Sequence, residues 1–363
     1  MLENEHDHSN SQSNIESKSG HDNIIYTILV VIVLYFIFSA LLHSNADLTG
    51  FKTLNTIFIS ILLQAFPFML VGIIISSVIH IYVPDKYLVK VFPVKYGLGF
   101  ITAMFLGLLF PVCECAIVPV MKQLVKKGVP VPIALTFMLA APIINPIAII
   151  STVYAFPGHP EIAVIRVGLG LFTALIIGLM FLLLGSKNDI LTEQEHHHAH
   201  ECCHCHTHEH EHDCCGHEHG EEHSENKLFH KIKEVFLHTG EEFFGVGKYL
   251  IIGAFIAALT QRLIPQSVFT SISSHNILPL IVMMLTAFCF SACSTSDAFI
   301  ARSFLNSFPL SAIMGFMVFG PMMDIKNMMM LIGIFKKSFV AKLCAVIFIV
   351  NFLVMLLAAY FIK

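Results

Sequence analysis

The chain of 363 residues contains no tryptophan, and only 13% of it is charged, about half the share of an ordinary soluble domain. The charge is also segregated. Residues 1–22 carry five acids and one base, and residues 185–242 carry fourteen acids and four bases. Six acids and sixteen bases remain for everything else. With 56% hydrophobic residues, a mean hydropathy of +0.76 and repeated apolar runs of about twenty residues, a soluble enzyme, a nucleic-acid binder and a disulfide scaffold are excluded. No G-x-x-x-x-G-K-S/T loop occurs, so the chain encodes no ATPase. A cleavable signal peptide is not expected, because an acidic segment precedes the first apolar run and no clear small-residue cleavage site follows it. Five of the ten cysteines lie in one polar insert and the rest in or beside apolar stretches, which is no secreted framework.

What is present is a polytopic membrane protein with nine hydrophobic segments: 24–42, 54–82, 96–121, 130–156, 162–184, 246–264, 278–301, 309–335 and 341–362. The 32 phenylalanines read as lipid-facing and core filler. The loop 83–96 holds Lys86, Lys90 and Lys95, and the loop 122–129 holds Lys122, Lys126 and Lys127, so both read as cytoplasmic. Both stay inside if segment 96–121 dips in and returns, its arms being too short to cross; a plain kinked span is the alternative. Segment 278–301 is read as the second such element. The domain organisation expected is a polar N-terminal tail (1–22), a first membrane half (23–184, with an extra span at 23–43 and a repeat over 54–184), a cytoplasmic His/Cys/acid-rich linker (185–242) and a second membrane half (243–363).

The halves echo each other at a spacing near 180 residues. Phe110-Pro111-Val112-Cys113-Glu114-Cys115 falls opposite Phe290-Ser291-Ala292-Cys293-Ser294-Thr295. Lys122 matches Arg302, Pro84 matches Pro265, Pro130 matches Pro309, and Ala141-Pro142-Ile143-Ile144-Asn145 matches Gly320-Pro321-Met322-Met323-Asp324. Three crossings and one broken or re-entrant hairpin per half invert the second copy. The fold class expected is therefore all-α, with two inverted repeats and an extra N-terminal span, an architecture typical of secondary transporters.

The chemistry concentrates at the breaks. Pro111, Pro119, Pro142 and Pro146 free backbone carbonyls that cannot face lipid, although single prolines also make ordinary kinks. Three of the six acids outside the polar segments sit there: Glu114, Asp297 and Asp324. A carboxylate within the bilayer is costly unless paired, protonated or hydrated, so proton coupling or cation coordination is the default reading. Interfacial positions are the plainer alternative, and Asp324 has Lys326 beside it as a simple partner. Cys113 and Cys115 face one side if the break is extended, and two thiols with a carboxylate suit a soft metal or trivalent arsenic. Cys293, Ser294, Thr295 and Asn145 complete the expected substrate path. Cys289 and Cys344 read more as core packing.

The insert 196–223 holds 12 His, 5 Cys and 7 acids. Its candidate metal ligands are His196, His197, His198, His200, Cys202, Cys203, His204, Cys205, His206, His208, His210, His212, Cys214, Cys215, His217, His219 and His223. It cannot bury a core and is expected to lack structure without a ligand. It either delivers, senses or buffers metal ions, or is a solvated linker. No cofactor is required.

The runs Phe110 to Pro119, Ala141 to Pro146 and Ser291 to Asp297 resemble a family of predicted bacterial permeases, members of which have been linked to export of trivalent organoarsenicals such as methylarsenite. The resemblance covers nearly all of 50–363 apart from the insert. It implies that Cys113 and Cys115 meet the substrate. The long His/Cys insert departs from the shorter form associated with arsenical exporters and raises the case for a metal cation. The function expected is a secondary permease of the bacterial cell membrane. It exports a soft metal or metalloid species by alternating access with proton coupling. The partners are lipid and a small inorganic or organometalloid substrate, with no nucleic acid and an oligomeric state the sequence leaves open. The alternative is a membrane metal sensor or assembly factor that reads metal through the insert without transport. An integral-membrane enzyme lacks a nucleophile–base pair.

Overall fold

The computed structural model describes residues 30, 32–33, 49–84, 87, 90–93, 97–109, 113–184, 190–191, 224–263, 277–305 and 307–361. The tail, most of the first apolar run, and the whole His/Cys-rich stretch 196–223 with its candidate metal ligands lie outside the described residues. Twelve helices can be traced among the described residues. The first half holds α1 (Thr49–Tyr82), α2 (Leu98–Leu109), α3 (Glu114–Lys126), α4 (Val131–Ile144), α5 (Pro146–Ala155) and α6 (Glu161–Leu183). The second holds α7 (Ser224–Leu263), α8 (Leu278–Phe290), α9 (Ser294–Ser303), α10 (Leu310–Met322), α11 (Ile325–Ile334) and α12 (Lys337–Phe361).

Among the described residues, five helical stretches are long and apolar enough to cross a membrane: Lys52–Tyr82, Glu161–Leu183, Val235–Arg262, Leu310–Ile334 and Lys337–Tyr360. A sixth is the pair α4 and α5, bent by 40° at Asn145. They coincide with six of the nine apolar segments of the sequence, 54–82, 130–156, 162–184, 246–264, 309–335 and 341–362. Segments 96–121 and 278–301 yield short helices instead, α2 ending at Leu109 and α3 starting at Glu114, and α8 ending at Phe290 and α9 starting at Ser294. The arms of each interruption pack chiefly on other helices: α2 on α4, α3 on α1 and α4, α8 on α10, and α9 on α5 and α10.

The breaks follow from the sequence. Proline at 130 and at 309 precedes α4 and α10 at the same relative place, where a missing N–H costs nothing. Cys113 and Cys293, both extended (φ −82° and −80°), precede α3 and α9. Asn145 accepts a hydrogen bond from Ile147 N at 2.9 Å, and Asp324 accepts one from Asn327 N at 2.6 Å, so each caps the helix that follows. Ser291, ending α8, is the one described non-glycine residue with positive φ, at 47°. That left-handed turn costs roughly 1 kcal/mol for an L-residue and is held by the surrounding bundle.

One hydrophobic core runs through both halves. The halves meet where α1 packs on α7, α4 on α10, α6 on α12, α5 on α9 and α3 on α11. Glycines permit the closest approaches. A side chain at Gly72 of α1 collides with the Ala116 backbone of α3, and a Cβ on Gly253 of α7 comes within 2.8 Å of Lys326 Cα on α11. Ile32, from the first apolar run, is buried with Leu54 and Phe58 of α1 and Tyr249 of α7. Helix α7 has 40 residues, about 60 Å, against a bilayer core of about 30 Å. It begins at Ser224, well inside the stretch read as linker, so residues 224–242 extend the span rather than loop out.

Gly72→Ala and Gly253→Ala should each destabilise the protein by about 1–3 kcal/mol, the usual effect of overpacking. Gly168→Ala, which meets nothing within 4 Å, should leave stability unchanged. Thermal unfolding in detergent reads the difference.

Candidate functional site

Three half-helices that start at breaks, α3, α9 and α11, bring their first turns to the buried middle of the bundle, together with Arg166 of α6 and Thr152 of α5. Their positive dipole ends lie among three buried carboxyls, Glu114, Asp297 and Asp324, and two buried cations, Lys326 and Arg166. Each of the five side chains belongs to a residue at most 2% exposed, except Lys326 at 3%.

Lys326 Nζ carries three donors and has three acceptors. It donates to Asp324 Oδ2 at 2.6 Å, to the Ser291 carbonyl at 2.8 Å and to Glu114 Oε1 at 3.1 Å. One ammonium thereby joins the break before α3, the break between α8 and α9, and the break before α11. Asp324 divides its oxygens, Oδ2 taking Lys326 and Oδ1 capping α11. Arg166, in the first turns of α6, donates from Nη1 to Thr152 Oγ1 at 2.7 Å and from Nη2 to the Ser294 carbonyl at 2.9 Å. Arg166 also interacts electrostatically with Asp297, Glu114 and Cys293.

These cations answer where the freed backbone acceptors of the second break go. Ser291 and Ser294 carbonyls bind Lys326 and Arg166. The carbonyls of Cys289 and Phe290, at the end of α8, accept from Thr260 Oγ1 at 3.3 Å and Gln261 Nε2 at 2.5 Å on α7. A break inside a bilayer protein needs such partners. Some polar atoms keep no protein partner: Glu114 Oε2, Arg166 Nε, Asp297 Oδ2 and Asn327 Oδ1 are all buried and unpaired.

The candidate path residues divide accordingly. Glu114 and Asp324 meet through Lys326. Cys113 and Cys115 interact through their thiols, and Cys115 lies within electrostatic reach of Lys326. Cys293 sits half-buried with Sγ 3.5 Å from Ser296 Oγ, and Gln64 of α1 donates to the same hydroxyl at 3.3 Å. Asp297 places Oδ2 against Gly320, where a Cβ would come within 3.1 Å. Ser294 and Thr295 open α9, and Asn145 caps α5. Cys344 Sγ contacts Met323 Sδ at 3.6 Å, in keeping with core packing. Among the described residues, no three His, Cys, Asp or Glu side chains are grouped to hold a metal ion.

Two participants escaped the sequence reading. In the sequence Lys326 stands only as a neighbour of Asp324, and Arg166 belongs to none of the motifs. A lone arginine near the start of an otherwise apolar 23-residue helix was the available signal.

A second polar cluster ties the far end of α3 to α7. Lys122 Nζ donates to Glu242 Oε1 at 3.0 Å, both side chains 6% exposed. Beside it the rings of His80 and His238 stack at 4.6 Å. Gln123 Nε2 lies 2.9 Å from His80 Nδ1, and Ser77 Oγ 3.3 Å from His238 Nδ1.

A model of the family described as predicted permease (ArsP_1) matches residues 50–360. The chain belongs to that permease family. It is 40% identical over 302 residues to UPF0718 protein YcgR of Bacillus subtilis (strain 168), covering 83% of this chain and 95% of the relative. It is 36% identical over 288 residues to a Streptococcus mutans protein carried under the name of a two-component membrane permease complex subunit, covering 79% of this chain and 88% of that one. No solved structure matches. The chain is thus a multi-pass bacterial membrane permease and not an enzyme, and the buried charge cluster is its candidate site.

Removing one partner of a buried ion pair strands the other. Lys122→Met should cost about 3–5 kcal/mol, and Lys122→Met/Glu242→Gln should recover part of it. Chemical or thermal unfolding of both variants in detergent checks this.

Proposed function

We propose that this permease is a secondary transporter that exports a soft metal or metalloid species, a trivalent arsenical or a heavy-metal cation, through the buried breaks. The observation that carries this reading is the meeting of Glu114, Asp297 and Asp324 with Lys326 and Arg166, at the starts of three half-helices drawn from both halves. Cys113, Cys115 and Cys293 offer sulfur at the same breaks. Glu114 and Asp297, each with one unpaired oxygen, take up and release protons. A proton arriving at either carboxylate weakens its hold on a cation, which links the two movements.

The halves are inverted copies. The order of six helices recurs, the residues before the equivalent half-helices match in pairs, and like helices face like: α1 with α7, α4 with α10, α6 with α12. Helices α1 and α7 depart from the pairing. Helix α1 leans on α3, its neighbour in the first half, whereas α7 leans on α11. Helices α3 and α11 both end at lysine-bearing segments, Lys126-Lys127 and Lys336-Lys337, which the positive-inside rule sets in the cytoplasm. The pair α1 and α7 closes that side. Tilting it toward α5 and α9 opens it, the rocking of one unit against another that such folds use.

A second reading, a metal sensor without transport, has one observation in its favour. Helix α7 starts right after the His/Cys-rich stretch and its Glu242 grips Lys122 of α3. The name of the Streptococcus relative brings a second subunit into either reading.

Transport into everted vesicles tests the proposal. Wild type should accumulate a trivalent arsenical or soft cation in response to a pH gradient. Cys113→Ser should lower that flux far more than it lowers the amount of folded protein, and Glu114→Gln should flatten its pH dependence. Deleting 196–223 should preserve flux for a carrier and abolish the response for a sensor.

A further inference from the structure

Lys326 does more than neutralise a neighbour. Its three acceptors are two carboxylate oxygens and a backbone carbonyl, the donor set that proteins use for small hard cations. They come from three different breaks, and the ammonium lies within hydrogen-bond distance of all three. Ser291 contributes its carbonyl from a left-handed backbone, a conformation a serine adopts only when held there. The arrangement is that of a cation site, and the occupant is covalently attached to the protein.

The attachment is also placed to move. Lys326 lies in the first turn of α11, and a Cβ on Gly253 of α7 would come within 2.8 Å of its Cα, so a shift of α7 along α11 acts at Lys326 itself. The lysine stem has four rotatable carbons and swings readily. When the ammonium leaves, Glu114 and Asp324 lose the counter-charge they share, while Arg166, which also interacts with Glu114, stays hydrogen-bonded to Thr152 and the Ser294 carbonyl. A cation from solution, a proton or a metal ion, then restores the balance.

We propose that Lys326 is a tethered cation that fills a cation site made by Glu114, Asp324 and the Ser291 carbonyl, and that a soluble cation occupies this site only in exchange for it. Its part in a transport cycle rests on the permease reading above; the existence of the site does not. In this state the acidic pair is closed to metal ions, and access depends on the ammonium swinging away.

The test uses full-length protein in detergent, with thermal unfolding followed in choline chloride and in sodium or calcium chloride at matched ionic strength. Wild type and Lys326→Arg, both carrying a tethered charge, should melt at the same temperature in all three salts. Lys326→Met should melt lower in choline and rise when sodium or calcium is added. Lys326→Met/Glu114→Gln, with the same formal charge as wild type, should lose that rise. A Lys326→Met variant indifferent to the salt, or a wild type that responds equally, overturns the proposal. If Lys326→Met does not fold, the double variant must fold and ignore both salts; its failure also overturns the proposal. A sodium rise alone identifies a monovalent-cation site and a calcium rise a divalent one, either supporting it. None of these readouts depends on flux, so an inactive carrier and an absent cation site are told apart.

Discussion

The structure depends on a single requirement: carboxylates placed where a membrane protein has no water to spare must meet positive charge from elsewhere in the chain. Lys326 and Arg166 supply it. Lys326 joins Glu114 to Asp324 across the two halves, and Arg166 reaches from α6 to the first turn of α9 near Asp297. Charges of this kind are weak sources of stability, since desolvation offsets most of their attraction. Their value lies in specificity. They fix which breaks face one another, and they make any change at one break felt at the others.

The remaining architecture follows from keeping these breaks viable. A helix interrupted inside a bilayer protein exposes carbonyls, and each of those traced here has a donor: Thr260, Gln261, Lys326 or Arg166. The half-helices that begin at breaks are capped by Asn145 and Asp324 in one pair and preceded by thiols in the other. Capped starts are structurally complete. The starts at Cys113 and Cys293 carry no side-chain cap and present sulfur instead, which is why they are the more promising places for a ligand.

Much of this was legible in the sequence. The apolar runs point to the long apolar helices, and the intramembrane acids lie at the breaks, but Pro119 and Pro142 lie inside α3 and α4 without interrupting them, and among the described prolines expected to break a helix only Pro146 stands at a break. The matched positions Cys113 and Cys293, and Asn145 and Asp324, emerge as equivalent helix starts. The partners of the acids were harder to read. Lys326 looked like a local neighbour of Asp324, and only the fold brings Glu114, more than two hundred residues away, to the same ammonium. Arg166 was hidden by the opposite habit, since a single arginine near the end of an apolar run normally marks an interface. Residues 224–242 are charged enough to read as linker; in the structure they form the first turns of α7, with Thr239 and Glu242 buried against α1 and α3.

The claim that the breaks line one path, open to each side in turn, is tested most directly at Cys293, which is half-buried beside Glu114 and Arg166. In a protein that keeps Cys113, Cys115 and Cys293 and has its other cysteines replaced by serine, a membrane-impermeant thiol reagent should label Cys293, identified by peptide mapping, from one face of oriented vesicles, and a change of pH gradient should shift labelling to the other face. Labelling that stays on one face under every gradient, or a thiol that never reacts, contradicts the account.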